Sequence, residues 1–366
     1  MPIAYTNARI LSGENFEDGK AVLTDMGIIT DIVPHSDIPG GYTQTDLDGL
    51  NLAPALIDLQ IYGGHGKMFS DDPGIAPLEA IYNYSLEGGA SHFMVTMATN
   101  SIDTFLRGIE AVRSYWKSGG KGLLGLHLEG PYLNPVKKGA HLEQYIKPPT
   151  MDEVKMLMDT GGDVIKMITI APEVCSQEVI CYLTENVPVV SAGHTNATYK
   201  QAQHGFGLGI PAATHLYNAM SGLQHREPGM VGAVFNDANV LSSIVCDGIH
   251  VDFAAVRIAK KIMQKRLFYI TDAVAATDGP GYQHRLAGDR YTLPDGTLSG
   301  SALTMMQCVK NGIEKVGITP EESLRMGSEY PGSLLRRDIM LGRIAKDYAA
   351  KFVVFNNDYV VVRVIR

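Results

Sequence analysis

The sequence is poor in several features that mark whole classes of proteins. It has only four cysteines in 366 residues, at positions 175, 181, 246 and 308, and none belongs to a C-x-x-C pair. This composition argues against a small disulfide-held domain and a cysteine-rich zinc module. We expect the cysteines to be reduced and mostly buried in a cytoplasmic protein, because nothing else marks the chain for export.

Positive charge and long apolar runs are also scarce. The chain has 31 Lys and Arg against 39 Asp and Glu, a formal net charge of -8, and no basic block. Nucleic acid is not an expected partner, because a phosphate backbone needs a positive surface. No apolar run approaches the roughly 20 residues of a membrane-spanning helix, so no membrane partner is expected. The start, "MPIAYTNARILSG", lacks the basic and apolar regions of a signal peptide.

The sequence does contain enough apolar residues, 45%, for a large core. Residues 1–52 alternate short apolar runs with turn signals such as "GENFEDGK" and "PHSDIPGG", which predicts β-hairpins. After about residue 340 the pattern returns to β in "KFVVFNNDYVVVRVI". We predict that residues 1–52 and 341–366 together form one small β-sandwich domain.

Between these ends, residues 53–340 alternate buried strands with helical segments. Eight strand candidates follow one another along the chain: "ALIDLQIYG", "ASHFMVTMAT", "GLLGLHLEG", "VIKMITIAPE", "VPVVSAGHT", "AATHLYNAM", "VLSSIVCDGIH" and "LFYITDAVAA". Helical segments such as "SIDTFLRGIEAVRSYWKS" lie between them, and a polar insert, "GPGYQHRLAGDRYTLPDG", follows the last. The predicted fold class is α/β: a (β/α)8 TIM-type barrel with the small β domain attached.

Polar side chains recur at the predicted C-terminal ends of the strands: Glu129, His194, His215, His250 and Asp272. In a barrel these ends converge on one face, which holds the active site. Each residue alone has an ordinary explanation, such as a helix cap, a salt bridge or a core histidine. Five around one ring favour a catalytic site.

Three of these residues fit a metal site. One carboxylate, Glu129, and two imidazoles, His194 and His215, are a common ligand set for a catalytic zinc with water in the open position. Asp272 is suited to take a proton from such a water and pass it to a leaving amine. The alternative for Asp272 is a cap on the following segment.

Two loops add further candidates. His141, in "KKGAHLEQ", can donate a hydrogen bond to a carbonyl oxygen as it becomes an oxyanion. Arg226, in "HREPGMVG", has the planar guanidinium that suits phosphate or carboxylate. For both residues the alternative is a solvated surface side chain.

The first strand raises a question about the metal. Many hydrolases of this kind carry His-x-His where this chain has Gln60-Ile61-Tyr62. Glutamine is a poor metal ligand, and tyrosine is rarely one. Either the metal is lost, or a reduced site remains with Gln60 in the shell around the ion. His65, in the glycine turn that follows, could supply an unexpected ligand.

Six motifs in order along residues 127–305 resemble the N-acetylglucosamine-6-phosphate deacetylase family of the amidohydrolase superfamily. They are "HLEGPYLNPVKKGAH", "SAGHTNATY", "THLYNAMSGLQHREPGMVG", "VCDGIHV", "ITDAVAATDG" and "LSGSALTM". The β-rich ends are similar to the split small domain of that superfamily. The chain departs from the family at Ala55, where glycine is usual, and in the closing segment "GRIAKDYAAKFVVF".

The resemblance implies a metal-dependent deacetylase that converts N-acetyl-D-glucosamine 6-phosphate to D-glucosamine 6-phosphate and acetate. It implies that Glu129, His194 and His215 bind the metal, that Asp272 is the general base and acid, and that His141 polarises the acetamide carbonyl. The substrate-binding residues implied are Ala140, His141, Asn218, Ala219, Arg226, Asp247, His250, Leu298, Ser299 and Gly300.

Family members with glutamine at the first His-x-His position carry a single metal, so we expect one divalent ion per subunit, zinc or ferrous iron. The resemblance also implies a homodimer in which Arg226 or His250 acts on the phosphate across the interface. Two alternatives remain open. One is an amidohydrolase acting on another N-acyl amino sugar or a cyclic amide, and the other is an inactive sugar-phosphate sensor.

Overall fold

Eight parallel strands form the centre of the structure, a computed structural model that describes residues 1–277, 281–335 and 340–366. The strands are Leu56–Ile61, Ala90–Ala98, Leu123–Glu129, Ile165–Ile170, Val189–Ala192, Ala212–Ala213, Leu241–Ile244 and Leu267–Tyr269. Each pairs with the next along the chain. All eight strand candidates are therefore confirmed, and the predicted barrel with them.

The barrel closes between its first and eighth strands through the residues that follow the eighth. Ile61 and Ala273 form a parallel bridge. The amide of Asp272 donates to the carbonyl of Gln60 at 3.0 Å. Below this seam, the buried carboxylate of Asp58 accepts from the hydroxyl of Thr271 and from its amide at 3.2 Å. The seam therefore joins the two strands that carry Gln60 and Asp272.

Helices alternate with the strands and cover the barrel. The helices are Ile75–Glu87, Ile102–Lys117, Met151–Gly161, Gln177–Asn186, Tyr199–Gly207, Gly229–Asn236, Phe253–Met263, Met305–Asn311, Pro320–Gly327 and Glu329–Leu334. A π-helical turn occupies Gly312–Val316, and 3-10 turns occupy His35–Asp37, Pro135–Lys137, Glu143–Tyr145, Pro172–Val174 and Gln264–Arg266. Side-chain caps begin several helices; Thr198 and Gln201, for example, form a capping box. Within the described ranges, no helix is long and apolar enough to cross a membrane.

The two chain ends meet in a small β-sandwich, as predicted. One sheet contains Ile3–Thr6, Lys20–Asp25, Ile28–Pro34 and Thr43–Asp46, and the other contains Arg9–Ser12, Asn15–Glu17, Asn51–Pro54, Phe352–Phe355 and Val361–Ile365. Phe352–Phe355 pairs antiparallel with Asn51–Pro54. Apolar side chains from both ends, including Ile10, Val22 and Phe352, share one cluster. The limits 1–52 and 341–366 stay a prediction, and residue 52 lies inside a strand that runs on to Pro54.

Two short β elements lie near the C-terminal ends of the barrel strands. Gly63–Gly64 and Lys67–Met68 form a hairpin after the first strand. Arg285–Ala287, Arg290–Thr292 and Leu298–Ser301 form a three-stranded sheet from the polar insert, whose first residues, 279 and 280, lie outside the described residues. The insert was predicted only as an interruption; its strands were not.

The Asp58 link generates a prediction about stability. Replacing Asp58 with alanine removes the acceptor of the buried Thr271 amide and leaves the Thr271 hydroxyl only the Gln60 carbonyl at 3.4 Å, and we expect a loss of about 3 kcal/mol in the free energy of unfolding. Thermal unfolding of Asp58→Ala should show a Tm several degrees below the wild type. Asp18→Ala, at an exposed site, is the control. Equal Tm values for both variants would contradict a structural role for the link.

Candidate active site

A pocket opens at the C-terminal ends of the barrel strands, where the sequence places the active site. Twelve of the predicted site residues line it: Glu129, Ala140, His141, His194, His215, Asn218, Ala219, His250, Asp272, Leu298, Ser299 and Gly300. Gln60, Arg226 and Asp247 are not among the lining residues. Residues up to 171 positions apart in the chain thus share one cavity.

The backbone has an unusual conformation at several of the residues whose side chains enter the pocket. Glu129 is the last residue of its strand, but His194 and His215 lie two residues beyond theirs, and Asp272 lies three beyond. These three residues have left-handed backbone conformations, with φ of 47°, 37° and 55°. Such conformations are unfavourable for residues other than glycine and cluster at functional sites.

Glu129, His194 and His215 bring three ligand atoms together. Glu129 Oε1 lies 3.0 Å from His215 Nε2 and 3.3 Å from His194 Nε2, and the two nitrogens are 3.1 Å apart. Ligand atoms bound tetrahedrally at about 2.0–2.1 Å from an ion are roughly 3.3 Å from one another. His194 Nδ1 contacts the Lys137 carbonyl at 2.9 Å and so carries the ring proton, which leaves Nε2 free to bind. The donor set therefore fits a divalent ion.

His141 offers a second, overlapping triad, because its ligand atom and those of Glu129 and His194 all lie within 4.8 Å of one another. Its hydrogen bonding favours another role. The Thr99 amide donates to His141 Nδ1 at 3.2 Å, so neutral His141 carries its proton on Nε2. That nitrogen lies 3.2 Å from Glu129 Oε2 and acts as a donor. Burial, with His194 nearby, lowers the pKa of His141 to about 4, which keeps the ring neutral.

The two carboxylates of the site have opposite electrostatic surroundings. Burial alone would raise the pKa of Glu129, but His194 and His141 hold it well below its usual range. For Asp272, burial raises the pKa; His215 opposes the rise, and the charge of Glu129 adds to it. Glu129 is thus held as an anion, whereas Asp272 binds a proton more readily than an exposed aspartate does.

Gln60 and Tyr62 fill the place of the missing His-x-His pair. Gln60 Nε2 lies 3.1 Å from Glu129 Oε1, 2.9 Å from Asp272 Oδ1 and 2.8 Å from the Tyr62 hydroxyl. The Tyr62 hydroxyl in turn donates to Glu129 Oε2. The sequence interpretation placed Gln60 near the ion but missed Tyr62. The i, i+2 spacing on a strand, which directs both side chains to one face, was the available signal.

His250 faces the pocket and is held from behind by Asp247. The Asp247 carboxylate accepts hydrogen bonds from His250 Nδ1 at 2.6 Å and from the backbone amides of Ile249 and His250 at 2.8 Å. Burial alone would raise the pKa of Asp247, but the hydrogen bond and charge of His250, together with the amides of Ile249 and His250, lower it. Direct contact between Asp247 and the substrate stays a prediction. In this geometry the Asp247 carboxylate orients the His250 ring.

Two other candidates lie away from the pocket of their own chain. Arg226 is exposed on its loop. His65 is also partly exposed, and its Nε2 lies 3.3 Å from Glu87. His65 therefore faces a surface carboxylate rather than the proposed metal ligands.

The pocket also contains residues that sequence reasoning left out. Tyr282 and His284, from the polar insert, line it with their rings stacked 5.7 Å apart. The Tyr282 hydroxyl donates to the Thr99 carbonyl at 2.9 Å, and His284 Nδ1 lies 3.0 Å from the Ser299 hydroxyl. The aromatic rings of the insert, Tyr282, His284 and Tyr291, were the available signal.

A (β/α)8 barrel with a buried carboxylate and imidazoles at its strand ends has the arrangement of a metal-assisted hydrolase. Residues 51–366 match the Amidohydrolase family, and the chain belongs to that family.

Several proteins are similar in sequence to this chain over almost its whole length. N-acetylglucosamine-6-phosphate deacetylase of Haemophilus influenzae is 36% identical, over 99% of this chain and 97% of its own. N-acetylgalactosamine-6-phosphate deacetylase of Escherichia coli O157:H7 is 31% identical, over 95% and 94%. The crystal structure of N-acetylglucosamine-6-phosphate deacetylase from Pasteurella multocida is 35% identical, covers 100% of this chain and 98% of its own, and superposes with a TM-score of 0.95.

The choice between the two triads is open to direct measurement. Because His215 offers a free ring nitrogen to the ion and His141 offers a proton, His215→Ala should lose most bound zinc, whereas His141→Ala should keep about one ion per chain. Elemental analysis of the purified variants gives the count. His35→Ala, exposed in the small domain, is the control. Equal loss in His141→Ala and His215→Ala would favour the triad that includes His141.

Proposed function

We propose that this protein deacetylates N-acetyl-D-glucosamine 6-phosphate and releases D-glucosamine 6-phosphate and acetate. The observation that carries the proposal is the convergence of Glu129, His194, His215 and Asp272 in one pocket, in a chain 36% identical to a deacetylase of that name. Hydrolysis of an amide requires an activated water, a polarised carbonyl and an acid for the leaving amine. The pocket has a group for each task.

Glu129, His194 and His215 would hold one divalent ion per subunit, zinc or ferrous iron. When bound, such an ion lowers the pKa of a water and polarises the acetamide carbonyl. Gln60 Oε1 and His215 Nδ1 are buried without a hydrogen-bond partner among the described residues. Both residues already face the site with their other polar atom, His215 Nε2 toward Glu129 and Gln60 Nε2 toward Glu129 and Asp272.

Asp272 would move the proton. Its half-buried carboxylate lies near His215 and is held by Gln60 at 2.9 Å, which fixes its orientation. It takes a proton from the attacking water and delivers it to the amine of the departing sugar. The raised pKa of Asp272 favours uptake of the proton and lets the carboxyl group hold it until the amine departs.

His141 would stabilise the negative charge that develops on the acetamide oxygen. Its Nε2 proton is directed into the site because Nδ1 is fixed by the Thr99 amide. A buried, preorganised donor of this kind stabilises an oxyanion strongly, since no solvent has to reorganise.

The rest of the pocket would bind the sugar phosphate. Asn218 Nδ2 is buried in the pocket wall, has no hydrogen-bond partner in the described part of the chain, and can donate to a sugar or phosphate oxygen. Glycine at position 300 lets the backbone of this pocket wall pass close to Val274, in the segment that follows Asp272, because a Cβ there would lie 2.6 Å from Val274 Cγ1. His250, oriented by Asp247, would contact the phosphate. Ala140, Ala219, Leu298 and Ser299 would shape the cavity.

We further propose a homodimer that works in the cytoplasm. Arg226 is exposed outside its own pocket, a position that suits contact with the phosphate site of a partner subunit. The four cysteines are all free thiols, in keeping with a reducing compartment.

A second substrate has specific support. The E. coli relative named for N-acetylgalactosamine 6-phosphate is 31% identical over 95% of this chain. This sugar differs only at one hydroxyl, and the metal site and Asp272 would serve both. The epimer is therefore the competitor to test first, ahead of other N-acyl amino sugars.

The proposal is tested by measuring acetate release and metal content together. Wild-type protein should contain about one ion per chain and release acetate from N-acetylglucosamine 6-phosphate much faster than from N-acetylglucosamine. Asp272→Asn should keep the ion and lose activity, whereas Asp103→Asn, at an exposed helix, should change neither. Faster turnover of N-acetylgalactosamine 6-phosphate would make that epimer the assigned substrate. If no sugar is turned over, the protein is an inactive sugar-phosphate sensor rather than a deacetylase.

The pairing of Asp247 with His250 leads to a prediction about phosphate recognition. Replacing Asp247 with asparagine weakens a charged hydrogen bond that is worth about 1.5–3 kcal/mol, so KM for the phosphorylated sugar should rise roughly tenfold or more. Because Asp247 does not touch the metal ligands, kcat should change little. Steady-state kinetics checks this, with Asp252→Asn, an exposed helix cap, as the control. A fall in kcat at constant KM would contradict the assignment.

A further inference from the structure

We propose that Tyr62 is a positioning residue that holds Glu129 with a single oxygen facing the ion and thereby keeps the site to one metal. The inference rests on the proposed function only in assuming that Glu129, His194 and His215 bind an ion. It assigns to Tyr62 a task that neither the strand-end pattern nor the expected ligand set includes.

The two oxygens of Glu129 have separate sets of neighbours. Oε1 faces His194 Nε2 at 3.3 Å and His215 Nε2 at 3.0 Å. Oε2 accepts from the Tyr62 hydroxyl and lies 3.2 Å from His141 Nε2. Because the Tyr62 hydroxyl still occupies Oε2 when the His141 proton turns to the substrate carbonyl, Glu129 is held in one-oxygen coordination.

The hydrogen-bond chain fixes the direction of each proton. Gln60 Nε2 can only donate, and it lies 2.8 Å from the Tyr62 hydroxyl. The hydroxyl oxygen therefore accepts from Gln60 and directs its own proton to Glu129, which as a carboxylate can only accept. Gln60 Nε2 also faces Asp272 Oδ1 at 2.9 Å. Gln60 and Tyr62 thus present hydrogens, not lone pairs, to both carboxylates.

This polarity determines how many ions the site accepts. A His-x-His pair would offer two lone pairs in the same place and would attract a second cation. The amide and hydroxyl hydrogens carry partial positive charge and partly neutralise Glu129 and Asp272 themselves. A second ion would have to displace these donors, and neither Gln60 nor Tyr62 offers a nitrogen lone pair.

Packing, as well as hydrogen bonding, holds the Tyr62 ring in place. The ring is buried in an apolar cluster with Met68, Ala98, Val274 and Tyr282. The Tyr62 amide donates to the Ala273 carbonyl at 2.9 Å across the barrel seam. Phenylalanine can keep this packing, so Tyr62→Phe removes the hydroxyl and little else.

The experiment compares zinc affinity and the cobalt spectrum of wild-type protein, Tyr62→Phe and Tyr330→Phe. Tyr330 is the matched control, because it is also buried and its hydroxyl also contacts a glutamate, Glu322, at 2.9 Å. Loss of a hydrogen bond that orients a metal ligand typically weakens binding about 10–100-fold. We expect that loss in Tyr62→Phe, measured by competition with a chelator, and unchanged affinity in Tyr330→Phe.

Cobalt separates positioning from general destabilisation. With Glu129 Oε2 released, Tyr62→Phe should shift toward two-oxygen coordination, and the visible absorption of bound Co²⁺ should weaken as the coordination number rises. The double variant Gln60→His/Tyr62→His should bind close to two zinc ions per chain. Wild-type affinity and spectrum in Tyr62→Phe, or equal losses in both tyrosine variants, would overturn the proposal.

The deacetylase proposal and the Tyr62 proposal fail in different measurements. If wild-type protein binds one ion but releases no acetate, the substrate assignment fails and the metal-binding comparison of Tyr62→Phe remains valid. If wild-type protein releases acetate and Tyr62→Phe binds zinc normally, the function stands and the role of Tyr62 is overturned.

Discussion

The buried negative charge of Glu129 is the constraint around which the site is built. An ionised carboxylate in a barrel interior is very unfavourable unless charges and donors compensate it. Five side chains surround this one: His194 and His215 at one oxygen, Tyr62 and His141 at the other, and Gln60 beside them. They come from four separate parts of the barrel, since Gln60 and Tyr62 share the first strand and its end, so the barrel must be complete before Glu129 is compensated.

The same crowding explains why the catalytic aspartate behaves differently. Burial raises the pKa of Asp272 and the charge of Glu129 adds to the rise, whereas His194 and His141 hold the pKa of Glu129 low. Two carboxylates with such different pKa values can serve separately to bind an ion and to carry a proton. The difference results from the surroundings of the two groups rather than from residue type.

The sequence predicts the fold well, because each strand and helix is encoded locally by apolar periodicity and turn residues. It also places Glu129, His194, His215 and Asp272 on one face, since parallel strand ends converge in any barrel. It could not show Tyr62 beside Glu129, because that contact joins residues 67 positions apart and depends on side-chain direction. The same limit applies to Asp247 behind His250 and to the insert strands that bring Tyr282 and His284 to the pocket.

The pairing of the two chain ends has a consequence for synthesis. Asn51–Pro54 lies directly before the strand that carries Gln60 and Tyr62, and its neighbour in the sheet is Phe352–Phe355. On the ribosome this neighbour emerges nearly 300 residues after Pro54, so this edge of Asn51–Pro54 stays unpaired while the whole barrel is synthesised. An unpaired edge is a site for wrong strand pairing. Chains interrupted shortly before residue 352 therefore carry a nearly complete barrel beside an open, aggregation-prone sheet.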